Sequence, residues 1–344
     1  MDLLSFYGLF LAKTVTVIAS LAILMLIIPT IKKRNNSRAG KLTLTRSDKY
    51  YYEVQNRMRL EKMNQFQQKL WKKEQKKKEQ KEAKYAKKHT KSINTTNNNQ
   101  EKSTLYIIDF KGSIDAREVS SLRKEVSAIL SVAEKGDEVL LRLESPGGVV
   151  HGYGLAASQL QRFRKKDIPL IVSIDKIATS GGYMMACVAD YIIAAPFAII
   201  GSIGVVGQLP NFNRLLKHNK IDLELYTAGE YKRTLTLFGE NTEEGREKFR
   251  ENLNHTHLLF KQFVHQMRPK LNIDKVSNGE YWYGTQALEK ELIDSINTSD
   301  DLIIDKMSQY QVIEVRYLHN KSMMDRLSYK VSNNISKLLE HIIT

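Results

Sequence analysis

From Thr104 onward, short apolar runs alternate with segments of helical period, and this alternation limits the fold more than any other feature of the chain. TLYIIDFKG reads as a strand and REVSSLRKEVSAILSVAE as a helix. DEVLLRLES is a second strand, VVHGYGLAASQLQRFRKK a helix, IPLIVSID a third strand, and SGGYMMACVAD opens another helix. Strands are expected again at YIIAAP, AIIGSIGVV and IDLELYTAG, then a long helix over about 242–267 and a shorter one at GTQALEKELID. Strand–helix alternation of this kind specifies an α/β domain whose largely parallel sheets are covered by helices.

The region before this domain has a different character. Thr14 to Ile31 is 18 residues without a charge, close to what a helix needs to cross a bilayer. A cleaved signal peptide would carry its basic residues before the apolar core; here Lys32, Lys33 and Arg34 follow it and Asp2 precedes it. Residues 1–31 are therefore expected to be an uncleaved single-pass anchor. The formal charge of +15 has the same local origin. Of 53 basic and 38 acidic residues, 22 and 7 fall between Lys32 and Lys102, which leaves 31 of each elsewhere. A neutral body argues against nucleic acid as a partner.

Within the basic stretch, Tyr51, Val54, Met58, Met63, Phe66 and Leu70 recur at roughly helical spacing. That pattern predicts a charged, partly amphipathic helix over about 45–90, either a solvated spacer or a contact for anionic lipid or a partner. Residues 94–100 read as a linker, and 321–344 as an amphipathic tail. The domain boundaries expected are thus 1–31, 32–103, 104–320 and 321–344.

Three places can carry chemistry. Ser180, in Thr179-Ser180-Gly181-Gly182, follows a buried strand and opens an apolar helix, beside backbone N–H groups and the positive end of the helix dipole. An ordinary helix N-cap followed by a glycine-rich packing contact is the competing reading. Ser145-Pro146-Gly147-Gly148 ends a strand, where ligands of α/β sheets bind and paired glycines can turn N–H groups into a site; an ordinary turn is the competing reading. Lys232 lies just past an expected strand. A free lysine, with a pKa near 10.4, is almost wholly protonated at neutral pH and becomes a base only when its surroundings lower that value. His151, near the glycine turn, is the conventional alternative base. His255 and His257, two apart on a helix, point to different faces and make a poor metal pair. Cys187 reads as core. No phosphate loop, zinc spacing or dinucleotide fingerprint is present, and no cofactor is expected.

Taken together, LRLESPGG, DKIATSGGYMMACVAD, APFAIIGSIGVVGQLPNFNRLLK, LYTAGEYKRTLTLFGENTEEGREKF and WYGTQALEKELID resemble, in this order, the signal peptide peptidase family, and within it the SohB branch. The resemblance covers about residues 104–300. It implies a ClpP/crotonase-like protease domain, with Ser180 as nucleophile and Lys232 as general base of a Ser/Lys dyad. It implies Gly148 and Gly181 as oxyanion donors and Ser202 as the residue that orients the lysine. It also implies a peptide or protein substrate, a homo-oligomer and a bacterial inner-membrane location. On the side of the membrane the two arguments conflict: the positive-inside rule favours the cytoplasm, and family precedent, followed here, the periplasm. With a lysine base, activity should rise with pH; a flat acid limb would exclude that base. Two rival readings remain, an acyl-CoA enzyme on the same superfamily fold and a catalytically silent membrane scaffold.

Overall fold

The computed structural model describes residues 40–90 and 102–319, with scattered positions between 8 and 20. The expected linker at 94–100, the tail at 321–344 and most of the uncharged stretch Thr14–Ile31 lie outside the described residues. Among the described residues, no helix is long and apolar enough to cross a membrane. The chain divides into two units, residues 42–317 and, separately, 1–41 with 318–344.

The main sheet has seven strands in the order β1-β10-β2-β3-β4-β6-β9. These are β1 (Lys41–Arg46), β2 (Thr104–Lys111), β3 (Glu138–Glu144), β4 (Leu170–Ile174), β6 (Tyr191–Ala194), β9 (Ser295–Ile296) and β10 (Gln311–Leu318). From β10 to β9 every pairing is parallel. The central strands are apolar almost throughout because both faces are covered: in β4 all five residues are buried. Alternate side chains of β2 feed two separate cores. Tyr106, Ile108 and Phe110 join the larger one, with Leu122, Val126 and Ile129 of helix α3 (Val119–Leu130) and Leu160 and Phe163 of α4 (Val150–Arg164). Leu105 and Ile107 join the smaller one, with Ile303 of α8 (Ser299–Lys306), Met307 and Val312.

The basic segment does not form one helix. It starts as strand β1, continues as α1 (Ser47–Glu61), turns, and resumes as α2 (Gln65–Thr90). The break is a reciprocal cap: the Asn64 side chain accepts from the Gln67 N–H at 2.9 Å, and the Gln67 side chain accepts from the Asn64 N–H at 3.1 Å. The first helix also is not a free spacer. Tyr51 packs on the smaller core, and the Tyr52 hydroxyl donates to the Met307 carbonyl at 3.1 Å.

A second, three-stranded sheet contains β5 (Ile177–Thr179), β7 (Ile199–Gly201) and β8 (Tyr281–Tyr283), with β5 parallel and β8 antiparallel to β7. Between β7 and α7 (Glu243–Met267) the only regular element is the short helix α6 (Asn213–His218). IDLELYTAG forms no strand, and AIIGSIGVV is a strand only over Ile199–Gly201. Ile221, Leu223 and Leu225 alternate as a strand would, but they pair with no strand and are about half exposed.

Candidate active site

β5 ends at Thr179, and helix α5 (Gly181–Ala186) starts one residue beyond Ser180. Ser180 occupies that corner with φ +52°, a left-handed conformation that costs a residue with a Cβ on the order of 1–3 kcal/mol. Packing enforces it. The Ser180 N–H donates to the Gly201 carbonyl of β7 at 2.8 Å, so the second sheet fixes the serine from one side. From the other side, Thr179 N–H donates to the Ser145 carbonyl at 3.0 Å and Ser145 N–H to the Ile177 carbonyl at 2.8 Å. The end of β3 is thereby attached to the strand that carries Ser180.

Glycine is required where these pieces meet. A Cβ on Gly147, which has φ +87°, would lie 2.7 Å from the Ser180 Cβ and from the Thr179 carbonyl oxygen. A Cβ on Gly181 would lie 2.5 Å from the Tyr153 ring. Gly181 is the first residue of α5, so its N–H is among those a helix leaves without an internal partner.

A cavity of about 830 Å³ opens over this corner. Ser180, Gly148, Gly181 and Ser202 all line it, so four of the five site residues expected from sequence are brought together. Ser202, just past β7, also has a left-handed backbone, φ +50°, and its N–H donates to the Glu280 carbonyl at 2.7 Å. Much of the remaining wall is apolar: Ile114, Val149, Val150, Met184, Val205 and Phe260.

Lys232 is the exception. It is exposed, lies outside the cavity lining, and follows a turn in which its N–H donates to the Gly229 carbonyl at 3.1 Å. His151 is likewise exposed and outside the lining. His257, which the sequence offers only as half of a poor metal pair, lines the cavity beside Thr256 and Phe260, and its Nε2 lies 3.2 Å from the Ile203 carbonyl. The signal was the run Thr256, His257, Phe260, Val264, which marks the inward stripe of α7; His255 falls on the exposed side. Cys187 is fully buried, its Sγ 3.3 Å from the Met184 carbonyl, and burial pushes its thiol pKa up, away from nucleophilic use. Among the described residues, no cluster of His, Cys, Asp or Glu could hold a metal.

Residues 2–160 match the family profile described as Peptidase family S49 N-terminal, and residues 162–313 match Peptidase family S49. The chain is 55% identical to the probable protease SohB of Buchnera aphidicola subsp. Acyrthosiphon pisum, over 98% of this chain and 97% of that protein. The chain belongs to peptidase family S49. It is 47% identical to the probable protease SohB of Haemophilus influenzae, over 100% of this chain and 97% of the relative. Among solved structures, two mutants of a 1510-N membrane-bound stomatin-specific protease align at TM-scores of 0.42 and 0.41 with 14% and 15% identity. These cover 64% and 67% of this chain and 100% and 99% of theirs. The protein is a serine protease of the S49 family, and the rival readings as an acyl-CoA enzyme or a silent scaffold are left without support.

Proposed function

We propose that Ser180 is the nucleophile of this protease and Lys232 its general base, with the N–H groups of Gly148 and Gly181 receiving the oxyanion. The observation that carries the reading of Ser180 and the two N–H donors is the cavity that gathers Ser180, Gly148, Gly181 and Ser202; Lys232 enters on the family motif. In this mechanism neutral Lys232 takes the proton of the Ser180 hydroxyl as Oγ bonds to the peptide carbonyl carbon. The carbonyl electron pair moves onto oxygen, where the two N–H groups hold it; one such donor is worth about 3 kcal/mol in well-studied serine hydrolases. Collapse breaks the C–N bond, and the lysine ammonium returns its proton to the departing amine. Water then hydrolyses the acyl-enzyme by the same sequence in reverse.

For this chemistry Lys232 must reach Ser180 from an exposed position. The segment that carries it also exposes Val206, Tyr226 and Phe238, at 90%, 85% and 47%. Apolar exposure on this scale favours a partner surface. The reading adopted is a homo-oligomer in which this segment packs against a second copy and brings Lys232 to Ser180, with Ser202 orienting the amine. The apolar wall of the cavity favours extended apolar peptides, such as leftover signal peptides or fragments of membrane proteins.

Residues 1–31 would anchor the enzyme to a bacterial inner membrane, with the protease domain on the periplasmic side. Residues 32–103 would lie against anionic lipid: Met58, Phe66 and Leu70 are exposed among Lys62, Lys69, Lys72 and Lys73. The protease domain would span 104–320, with 321–344 as a tail.

The test is cleavage of a fluorogenic apolar peptide by the full-length protein, by Ser180→Ala, by Lys232→Ala, and by an equimolar mixture of the two variants. Each variant alone should be inactive while folded, and the mixture should regain activity through sites formed between copies. Activity that survives Lys232→Ala would refute lysine as the base and make His257 the next variant.

A further inference from the structure

Behind the proposed oxyanion hole lies a chain of hydroxyl groups that none of the roles above uses. Ser145 and Tyr153 are both fully buried. The Gly147 N–H donates to Ser145 Oγ at 3.1 Å, Ser145 Oγ lies 2.7 Å from Tyr153 Oη, and Tyr153 Oη donates to the Ser113 carbonyl at 2.9 Å. Proton counting fixes the direction of the middle link. The single Tyr153 proton is committed to the carbonyl, so Ser145 donates to Tyr153 and accepts from Gly147. Every proton points away from the site, and burial pushes the Tyr153 hydroxyl pKa up, which keeps it protonated.

The chain therefore ends on the turn that carries Gly148. It turns the Gly147 N–H inward, and Val149 N–H closes the other side of the turn on the Ile114 carbonyl at 2.9 Å. The same tyrosine supports the second donor, because its ring lies directly against Gly181. A larger residue at Gly112 would fill the space the two hydroxyls occupy: its Cβ would lie 2.7 Å from Ser145 Oγ and overlap Tyr153 Oη.

We propose that Ser145 and Tyr153 are positioning residues of this protease: their buried hydroxyl chain, with the Tyr153 ring, holds both N–H donors of the oxyanion hole in register with Ser180. The proposal rests on the reading of Ser180, Gly148 and Gly181 given above. Neither side chain touches the reacting atoms, so its effect falls on the oxyanion state and not on substrate binding.

The experiment compares wild type, Tyr153→Phe, Ser145→Ala and the double variant in the full-length protein. It measures kcat, KM, thermal stability, and the affinity of a peptide aldehyde beside the matching peptide alcohol. The aldehyde forms a hemiacetal with Ser180 that places an oxygen in the hole; the alcohol only fills the cavity. Tyr153→Phe keeps the ring and is expected to lower kcat about tenfold or more with KM within about twofold. It should weaken the aldehyde by a similar factor and leave the alcohol unchanged. Because both hydroxyls belong to one chain, the double variant should be little worse than the poorer single one. An unchanged kcat, equal weakening of aldehyde and alcohol, or losses that only follow the unfolded fraction would overturn the proposal. Should Tyr153→Phe lose its fold, Ser145→Ala cuts the same chain at its next link and decides the matter alone. The Ser180→Ala control separates the two levels: activity remaining there refutes the nucleophile itself, whereas an inactive Ser180→Ala beside a fully active Tyr153→Phe refutes only the positioning chain.

Discussion

Glu125 is a carboxylate where the pattern of α3 calls for an apolar residue: it is 5% exposed and accepts the Tyr317 N–H at 2.7 Å. Burial pushes its pKa up to about 7 from an ordinary 4.5, with Asp109 adding to the effect and the Tyr317 N–H and Arg316 opposing it. A carboxyl whose folded pKa is raised binds its proton more tightly when folded. Its stabilising contribution is complete below about pH 4.5 and is lost as pH rises through about 7. At higher pH the ionised group costs up to about 3 kcal/mol. Glu125→Gln keeps an acceptor for Tyr317 without the charge. It should raise Tm by several degrees at pH 8.5 and leave it unchanged at pH 4.5; equal effects at both pH values would show that ionisation is not involved. Gly181→Ala makes the opposite kind of change, forcing a methyl into the Tyr153 ring. Such overpacking costs typically 1–3 kcal/mol, and we expect kcat to fall by more than Tm would suggest, as measured by active-site titration beside a thermal melt.

At the scale of elements, the start of α8 is tied to the sheet by one side chain. The Asp175 carboxylate accepts from Ser299 N–H at 2.9 Å and Ser299 Oγ at 2.6 Å, as well as from Ser173 Oγ at 3.0 Å. Asp175→Ala should cost about 2–3 kcal/mol in a denaturant titration, since three buried or half-buried donors lose their acceptor. The cap Thr242 accepts from Gly245 N–H at 3.1 Å and starts α7, which carries His257 and Phe260 to the cavity. Thr242→Ala is expected to cost about 1 kcal/mol. The elements that could be read in advance are those whose period is set by their own burial: β2, β3, β4, α3 and α4 fall where their apolar runs place them. β10 was not legible, because charges interrupt it. Glu314 and Arg316 look like surface until Asp109 of β2 and Arg142 of β3 are seen to pair with them. IDLELYTAG carries a strand period without a strand, since pairing needs an edge that the sequence does not name. The spacing of Asn64 and Gln67 fits a reciprocal cap, but it lies inside an otherwise continuous run of helical period. In the site, the glycine turns and Ser180 were readable as local motifs. The place of His257 was marked by the inward stripe of α7, whereas the burial of Tyr153 behind Gly181 depends on what folds beside it and was not readable.

On the scale of the whole molecule, the exposed apolar segment from Val206 to Phe238 allows a test of the proposed homo-oligomer. Leu223→Ser combined with Leu225→Ser should leave the sheet intact, because neither side chain is buried. We expect this variant to shift the detergent-solubilised enzyme to smaller species in sedimentation velocity and to lower its activity in parallel. A full-size species with unchanged activity would remove this segment from the interface. The basic helices allow a separate check: vesicles containing phosphatidylserine should bind the protein less as salt is raised, and replacing Lys62, Lys69, Lys72 and Lys73 by Gln should flatten that dependence.

Cys187, the chain's single thiol, lies in the core with no exposed surface. For a chemist this makes the natural enzyme a blank. A maleimide offered to the native protein finds nothing to react with, so one introduced thiol becomes a unique address. Ser158→Cys on the exposed side of α4 supplies such an address on a rigid element far along the chain from the apolar N-terminus. Labelled in intact cells with a reagent that stops at the inner membrane, it tests the periplasmic placement proposed above. The same thiol, carrying a dye, counts subunits by stepwise bleaching without a fusion tag.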